Sequence, residues 1–161
     1  MTLETFLEEL GIGYERYEHP AVFTCEQARQ WVPDMQAAPT ENLFLRDRKG
    51  RRHFLVVVGY EKSVDLRSLA QVLAVDRLLL GSERRLQQYL GVTPGSVTLL
   101  ALMNDRQRQV EVVLDEPIAR APQLRCHPLV NTATLALRQE AIRRFFQATG
   151  HVPRVLDVPA I

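Results

Sequence analysis

Apolar residues recur along the opening stretch at Leu3, Phe6, Leu7 and Leu10 and stop at Gly11. That is the spacing of one buried helical face with a glycine end. Residues 13–18 read as a short strand that closes on His19-Pro20. Thr24 with Gln27 three positions on fits a capping box, opening a short helix through Trp31 that Pro33 stops. Residues 34–40, with Pro39 among them, form a loop. Two apolar runs, residues 42–45 and 53–58, then flank the charged turn RDRKGRR, whose Gly50 predicts a β-hairpin. Asp65 caps a helix carrying Leu66, Leu69, Val72 and Leu73. Ser82 caps another, carrying Leu86, Tyr89 and Leu90, that ends at Gly91. TPGSVTLLALMND pairs a Pro94-Gly95 turn with an apolar run compatible with strand or short helix. Residues 110–114 and 132–137 predict strands, residues 139–149 a helix stopped by Gly150, and residues 154–156 a last short strand. Strands and helices alternate without a regular βαβ period, which predicts a mixed α/β (α+β) fold. Its sheet should be central, mixed, largely antiparallel and surrounded by helices.

Length and composition narrow this further. The 161 residues, 46% hydrophobic and 24% charged, suit one domain over residues 1–161 with a sizeable core. No apolar run approaches a membrane span, and the start MTLETFLEEL is acidic where a signal peptide is basic. Cys25 and Cys126 form no disulfide framework, so a cytoplasmic address is expected, with no membrane partner. Twenty basic residues against 19 acidic exclude a strongly basic nucleic-acid coat, and no DNA partner is expected; a local basic patch remains open. Only Lys49 and Lys62 are lysines; the other 18 cations are arginines, a bias that a GC-rich genome produces.

Standard catalytic signatures are missing: there is no GxGxxG, Walker loop, GxSxG, CxxC or HExxH. His19, His53, His127 and His151 lack ligand-like spacing, so no metal and no cofactor are expected. Four local features remain. Glu18-His19-Pro20 reads as a structural turn or the edge of a site. Residues 126–132, CHPLVNT, interrupt apolar sequence with a polar cluster. Its backbone amides can converge on an anion or carbonyl oxygen, or its Asn131 and Thr132 can satisfy their own turn. Cys126 itself reads as a small buried apolar residue. The turn Arg46-Asp47-Arg48-Lys49-Gly50-Arg51-Arg52 is either a phosphate-docking tip or a solvated hairpin end. Gly81-Ser82-Glu83-Arg84-Arg85 is a capped helix start, and most of these bind nothing.

Seven segments in order are similar to one family: EHPAVFTCEQA, ENLFLRDRKGRRHFLVV, VDLRSLA, SERRLQQYLGVTPGSVT, ALMND, HPLVNTATLAL and FFQATGH. Together they cover nearly the whole chain. The sequence resembles the YbaK/ProX family, stand-alone relatives of the editing domain of bacterial prolyl-tRNA synthetases, and within it the branch that removes alanine from mischarged proline tRNA. The resemblance implies an aminoacyl-tRNA deacylase acting in trans. Water attacks the ester carbonyl, helped by the substrate's 2′-hydroxyl and oriented by a polar loop, without metal or protein nucleophile. A second site of this kind sieves out the smaller amino acid that a synthetic pocket cannot reject. The implied partners are a tRNA acceptor end carrying a mischarged amino acid, and a synthetase.

Position by position, the resemblance points to Asn131 and His127 as catalytic. Pro128, Leu129, Val130 and Thr132 of the same loop, together with Asn42, Phe44, Leu45, Ser96 and Val97, would bind substrate. Arg46, Arg48, Lys49, Arg51 and Arg52 would hold tRNA. One departure is chemical. Where the family carries an essential lysine before the Asn-Leu-Phe-Leu strand, this chain has Glu41, which reverses the charge and cannot donate a charge-assisted hydrogen bond. Glu41 could act only as a general base. The alternative is a catalytically impaired homologue that serves as a tRNA- or protein-binding module. Leu99-Leu100 replaces a common Pro-Phe, and Cys126 replaces a common aromatic residue.

Overall fold

The hairpin expected around Gly50 organises the structure. The computed structural model describes residues 1–21 and 35–161, so the expected capping box at Thr24 and the helix through Trp31 lie outside the described residues. Strand β2 (Thr40–Asp47) and β3 (His53–Gly59) pair antiparallel, from Thr40↔Gly59 to Arg46↔His53. Gly50 takes φ +69 at the turn, a left-handed conformation that glycine adopts without strain. Arg85 lies against it: a Cβ on Gly50 would fall 2.6 Å from the guanidinium.

A five-stranded sheet grows from this pair, in the order β4-β2-β3-β5-β8. Strands β4 (Leu78–Leu80), β5 (Val110–Asp115) and β8 (Arg154–Leu156) complete it. β4 joins antiparallel, whereas β5 and β8 join parallel and therefore need crossovers. A second sheet has the order β1-β7-β6, wholly antiparallel, built from β1 (Glu15–Glu18), β6 (Gln123–Cys126) and β7 (Ala133–Arg138). The fold is mixed α/β as expected, but the strands sort into two sheets rather than one. β4 and β6 are strands that the apolar pattern did not announce.

Alternation along β3 shows why the large sheet lies in the middle. Leu55 and Val57 face one core cluster, and Phe54, Val56 and Val58 face another, all 1% exposed or less. Burying each such side chain is worth about 1.5–3 kcal/mol. The larger cluster is closed by β6, β7 and the helices α1 (Leu3–Glu9), α3 (Glu83–Leu90) and α5 (Gln139–Thr149). The smaller one is closed by α2 (Leu66–Val72) and by Leu78 and Val158. A single turn, α4 (Glu116–Arg120), follows β5.

The expected caps are in place. Asp65 accepts from the amide of Ser68, Ser82 from that of Arg85, and Gly91 and Gly150 end their helices at φ +66 and +80. The ambiguous PGSVTLLALMN run becomes two short 3₁₀ turns, Pro94–Ser96 and Leu99–Asn104, the second packed deep in the larger core.

One joint fixes the two sheets relative to each other. The segment before β2 bridges β6 at Ala38↔Leu124. Ala38 donates its amide to Gln123 and accepts from that of Arg125. The Thr40 hydroxyl donates to the Arg125 carbonyl at 2.6 Å, and the Arg125 guanidinium donates to the carbonyls of Met35 and Ala37. Through this joint the start of β2 lies beside the end of β6, where the polar loop begins.

Candidate functional site

The polar loop leaves β6 after Cys126 and returns as β7 at Ala133. Pro128 is buried, Leu129 packs against the larger core and Val130 is exposed. Leu129 takes φ +68, an uncommon left-handed conformation for a branched residue, so this loop holds a strained turn. Burial pushes the Cys126 thiol up to about 12, which rules it out as a thiolate nucleophile.

His127 sits half-buried at the loop's first position. Its Nδ1 faces the Ala133 carbonyl at 3.1 Å. A carbonyl only accepts, so Nδ1 carries the hydrogen and Nε2 keeps its lone pair. Nε2 has no partner among the described residues. Burial holds the His127 pKa below the usual 6.5, against the pull of the Ala133 carbonyl and with a smaller push from His19. The ring is therefore neutral near pH 7, with one basic nitrogen open among the described residues.

His19 joins it from the other end of the chain. The two rings meet edge to face, with centroids 6.4 Å apart. Lack of ligand-like spacing in sequence did not prevent this meeting in space. Even so, no group of three or more His, Cys, Asp or Glu side chains among the described residues could hold a metal ion.

β2 divides the residues expected on it. Phe44 faces the larger core, to which Val97 and Leu129 also belong; Asn42 shares that face by alternation. Ser96, beside Val97, is buried. Leu43 and Leu45 face the smaller core, and Leu45 is wholly buried there. The Asn42 Oδ1 is buried with no hydrogen-bond donor among the described residues. An orphaned acceptor of this kind costs about 1–3 kcal/mol. Glu41 alternates to the face of Leu43 and Leu45. It is half-buried and makes no hydrogen bond or ion pair among the described residues. Desolvation raises its pKa above the usual carboxylate range.

The hairpin tip is less free than its five cations suggest. Burial pushes the Asp47 carboxylate up, but the amides of Arg52, Arg51 and Gly50 outweigh it and hold the group below the usual range. Asp47 thus ties the turn from inside. Arg46 donates to the carbonyls of Asp47 and Arg48. Arg52 makes a two-pronged pair with Glu111, at 2.9 and 2.7 Å, over the Phe54 ring. Arg48 lies 3.7 Å from Asp76, both exposed. Lys49 and Arg51 make no ion pair among the described residues and present their charge outward.

Two constellations escaped the sequence pattern. In the first, Arg85 donates to the Gly50 carbonyl and to Nε2 of His53, a buried ring 4.0 Å from Tyr89 and stacked on Phe44. Burial and the Arg85 charge both lower the His53 pKa, so it too is neutral near pH 7. This stack runs from the basic turn to Phe44. In the second, His151 meets Asp105 at 2.9 Å, both nearly fully buried. Lys62, the only lysine besides Lys49, is held at 3.0 Å by Asp115.

The chain matches the model of an aminoacyl-tRNA editing domain over residues 19–145. It is 39% identical to the prolyl-tRNA synthetase associated domain-containing protein 1 of Danio rerio, over 96% of this chain and 85% of that protein. It is 35% identical to the prolyl-tRNA editing protein ProX of Acetoanaerobium sticklandii, over 94% of this chain and 93% of the other. Its fold is similar to that of a solved candidate trans-editing enzyme for prolyl tRNA synthetase. There the TM-score is 0.73 at 20% identity, covering 99% of this chain and 95% of the other.

Proposed function

The chain belongs to the aminoacyl-tRNA editing domain family, and from that premise we propose that it hydrolyses, in trans, the ester of a small mischarged amino acid such as alanine on proline tRNA. The observation that carries the reading is the state of His127: neutral, with Nδ1 committed to Ala133 and Nε2 without a partner among the described residues.

In this reading Nε2 takes a proton from water as the oxygen adds to the ester carbonyl carbon. The loop amides and the Asn131 side chain stabilise the oxyanion that forms. The tetrahedral species then collapses, breaking the bond to the tRNA 3′ oxygen, which recovers the proton from His127. The products are a free amino acid and an intact tRNA. Asn42 Oδ1 accepts from the substrate's ammonium group, which supplies the donor this buried atom lacks. Phe44, Val97 and Leu129 give the pocket an apolar wall that limits side-chain size. Lys49 and Arg51 meet the tRNA backbone by charge.

A second reading rests on Glu41. A half-buried carboxylate without a partner among the described residues, where relatives in the resemblance carry lysine, suits a module that binds tRNA or a protein without turning it over. Deacylation of alanyl-tRNA for proline, measured against buffer, separates the two. Acceleration supports the first reading, and none on any small aminoacyl-tRNA overturns it. Activity that arises only in Glu41→Lys establishes the second.

A further inference from the structure

We propose that His19 is the positioning residue for His127: it pins the far end of the polar loop to β1 and braces the imidazole that carries the open nitrogen. The inference rests on the deacylase reading for its kinetic consequence, but its structural content stands apart from that reading.

Three contacts build the brace. The His19 amide donates to the Thr132 carbonyl at 2.9 Å, carrying the β1–β7 ladder one residue past Glu18↔Ala133 into the loop's last position. Its ring Nδ1 faces the Pro20 carbonyl at 2.8 Å, and its Nε2 meets the Thr134 hydroxyl at 2.8 Å. His19 is 9% exposed and Thr134 3% exposed, so this ring cannot swing out without orphaning a buried hydroxyl. The following proline holds His19 in extended backbone, which suits a residue that ends a strand.

Both nitrogens of His19 are thus engaged, whereas among the described residues His127 has one engaged and one open. A ring with no open nitrogen is poorly placed to move a proton; a ring whose edge lies against its neighbour at 6.4 Å can restrict that neighbour's rotation. The loop's first residue holds the base, its last, Thr132, is clamped by the His19 amide, and the strained Leu129 lies between them. Loss of the brace leaves His127 free to rotate off the Ala133 carbonyl, and a small misplacement of a base is costly in rate.

The charged surroundings of His127 are sparse among the described residues. From β1, His19 faces it, while Glu18 is exposed and engaged by Arg16 at 2.6 Å. The neighbouring His19 ring adds a small push to the burial that lowers the His127 pKa.

The test compares His19→Phe, which keeps a flat ring without nitrogens, with His19→Gln, which restores a polar partner for Thr134. For each, His127 is followed by ¹⁵N ring NMR across pH, with kcat and KM for deacylation and a thermal melt. In His19→Phe we expect kcat to fall on the order of tenfold to a hundredfold, KM to stay within about twofold and the fold to persist. His19→Gln should recover most of that kcat. In both, the His127 titration midpoint should rise and the single Nδ1–H tautomer signature should weaken more in Phe than in Gln. Unchanged kcat in both variants of an active protein, or a His127 midpoint and tautomer signature unmoved by either, overturns the inference. If the wild-type protein proves inactive, the deacylase reading fails, and the NMR arm still decides whether His19 braces His127.

Discussion

Among the described residues, two histidine pairs, His151 with Asp105 and His127 with His19, are built on opposite plans. His151 has a partner on each nitrogen, the Thr149 hydroxyl at 2.8 Å and Asp105 at 2.9 Å, and Asp105 in turn accepts the amides of Gln109 and Val110. Every polar atom of that joint is spent on fastening the start of β5 to the end of α5. His127 has a carbonyl on one nitrogen, nothing on the other among the described residues, and a second histidine where His151 has a carboxylate. The first pair closes on itself and reads as a fastening. The second leaves one lone pair over, beside a strained loop, and reads as chemistry. The account of each nitrogen separates them more sharply than burial does.

The largest way to break that contrast is Asp105→Ala. It leaves His151 and two amides without an acceptor in the core and should cost about 3–5 kcal/mol in urea unfolding. Deacylation per folded molecule should stay near wild type. A stable variant with selectively lost activity would move this pair to the chemical side.

His127→Ala should do the reverse. Deacylation falls by about 10²-fold or more, while the thermal midpoint shifts by a few degrees at most. A variant as active as wild type removes the base from the proposed reaction.

The smallest effect concerns pH. Burial lowers the folded-state pKa of His127 and His53 below 6.5, the value an unfolded chain keeps. Between the two values the unfolded chain binds more protons, so stability falls as the pH drops below 6.5. Urea midpoints at pH 7.5 and 5.5 should show this decline, and His127→Ala should flatten part of it. An equal decline in that variant would assign the whole effect to His53 and other groups.

The sequence pattern reached the elements whose signals are local. Asp65, Ser82, Gly91 and Gly150 mark helix ends through their own side chains or their own φ angles, and Gly50 marks its turn in the same way. β4 and β6 were hidden for separate reasons. Leu78–Leu80 is three leucines, too short to show a period, and Gln123–Cys126 carries Arg125 in its middle. That arginine is tolerated because the carbonyls of Met35 and Ala37 accept from it, a contact about 90 residues away that no local pattern can show. The polar loop was legible as an interruption of apolar sequence, and Cys126 as a buried apolar residue. The divided faces of β2 are legible in its alternation only once a partner sheet says which face is which. Residues 46–52 showed their charge but not its commitments: Arg46 and Arg52 are bound to carbonyls and to Glu111. The meeting of His19 with His127 depends on β1 pairing with β7, and nothing in either segment announces it.

That pairing has a consequence for how the molecule is made. His19 and the Thr134 hydroxyl it contacts lie 115 residues apart in sequence. The hairpin of β2 and β3 can close as soon as both strands leave the ribosome, but β1 must wait through most of synthesis before β7 exists. Closing so long a loop is slow, so the nascent chain passes through a stage with its hairpin formed and its candidate site still open. A stalled or truncated product ending before Ala133 would carry the basic turn and Phe44 yet lack β7 and the brace. Such a fragment would present the basic charge of the turn without the polar loop's closing strand.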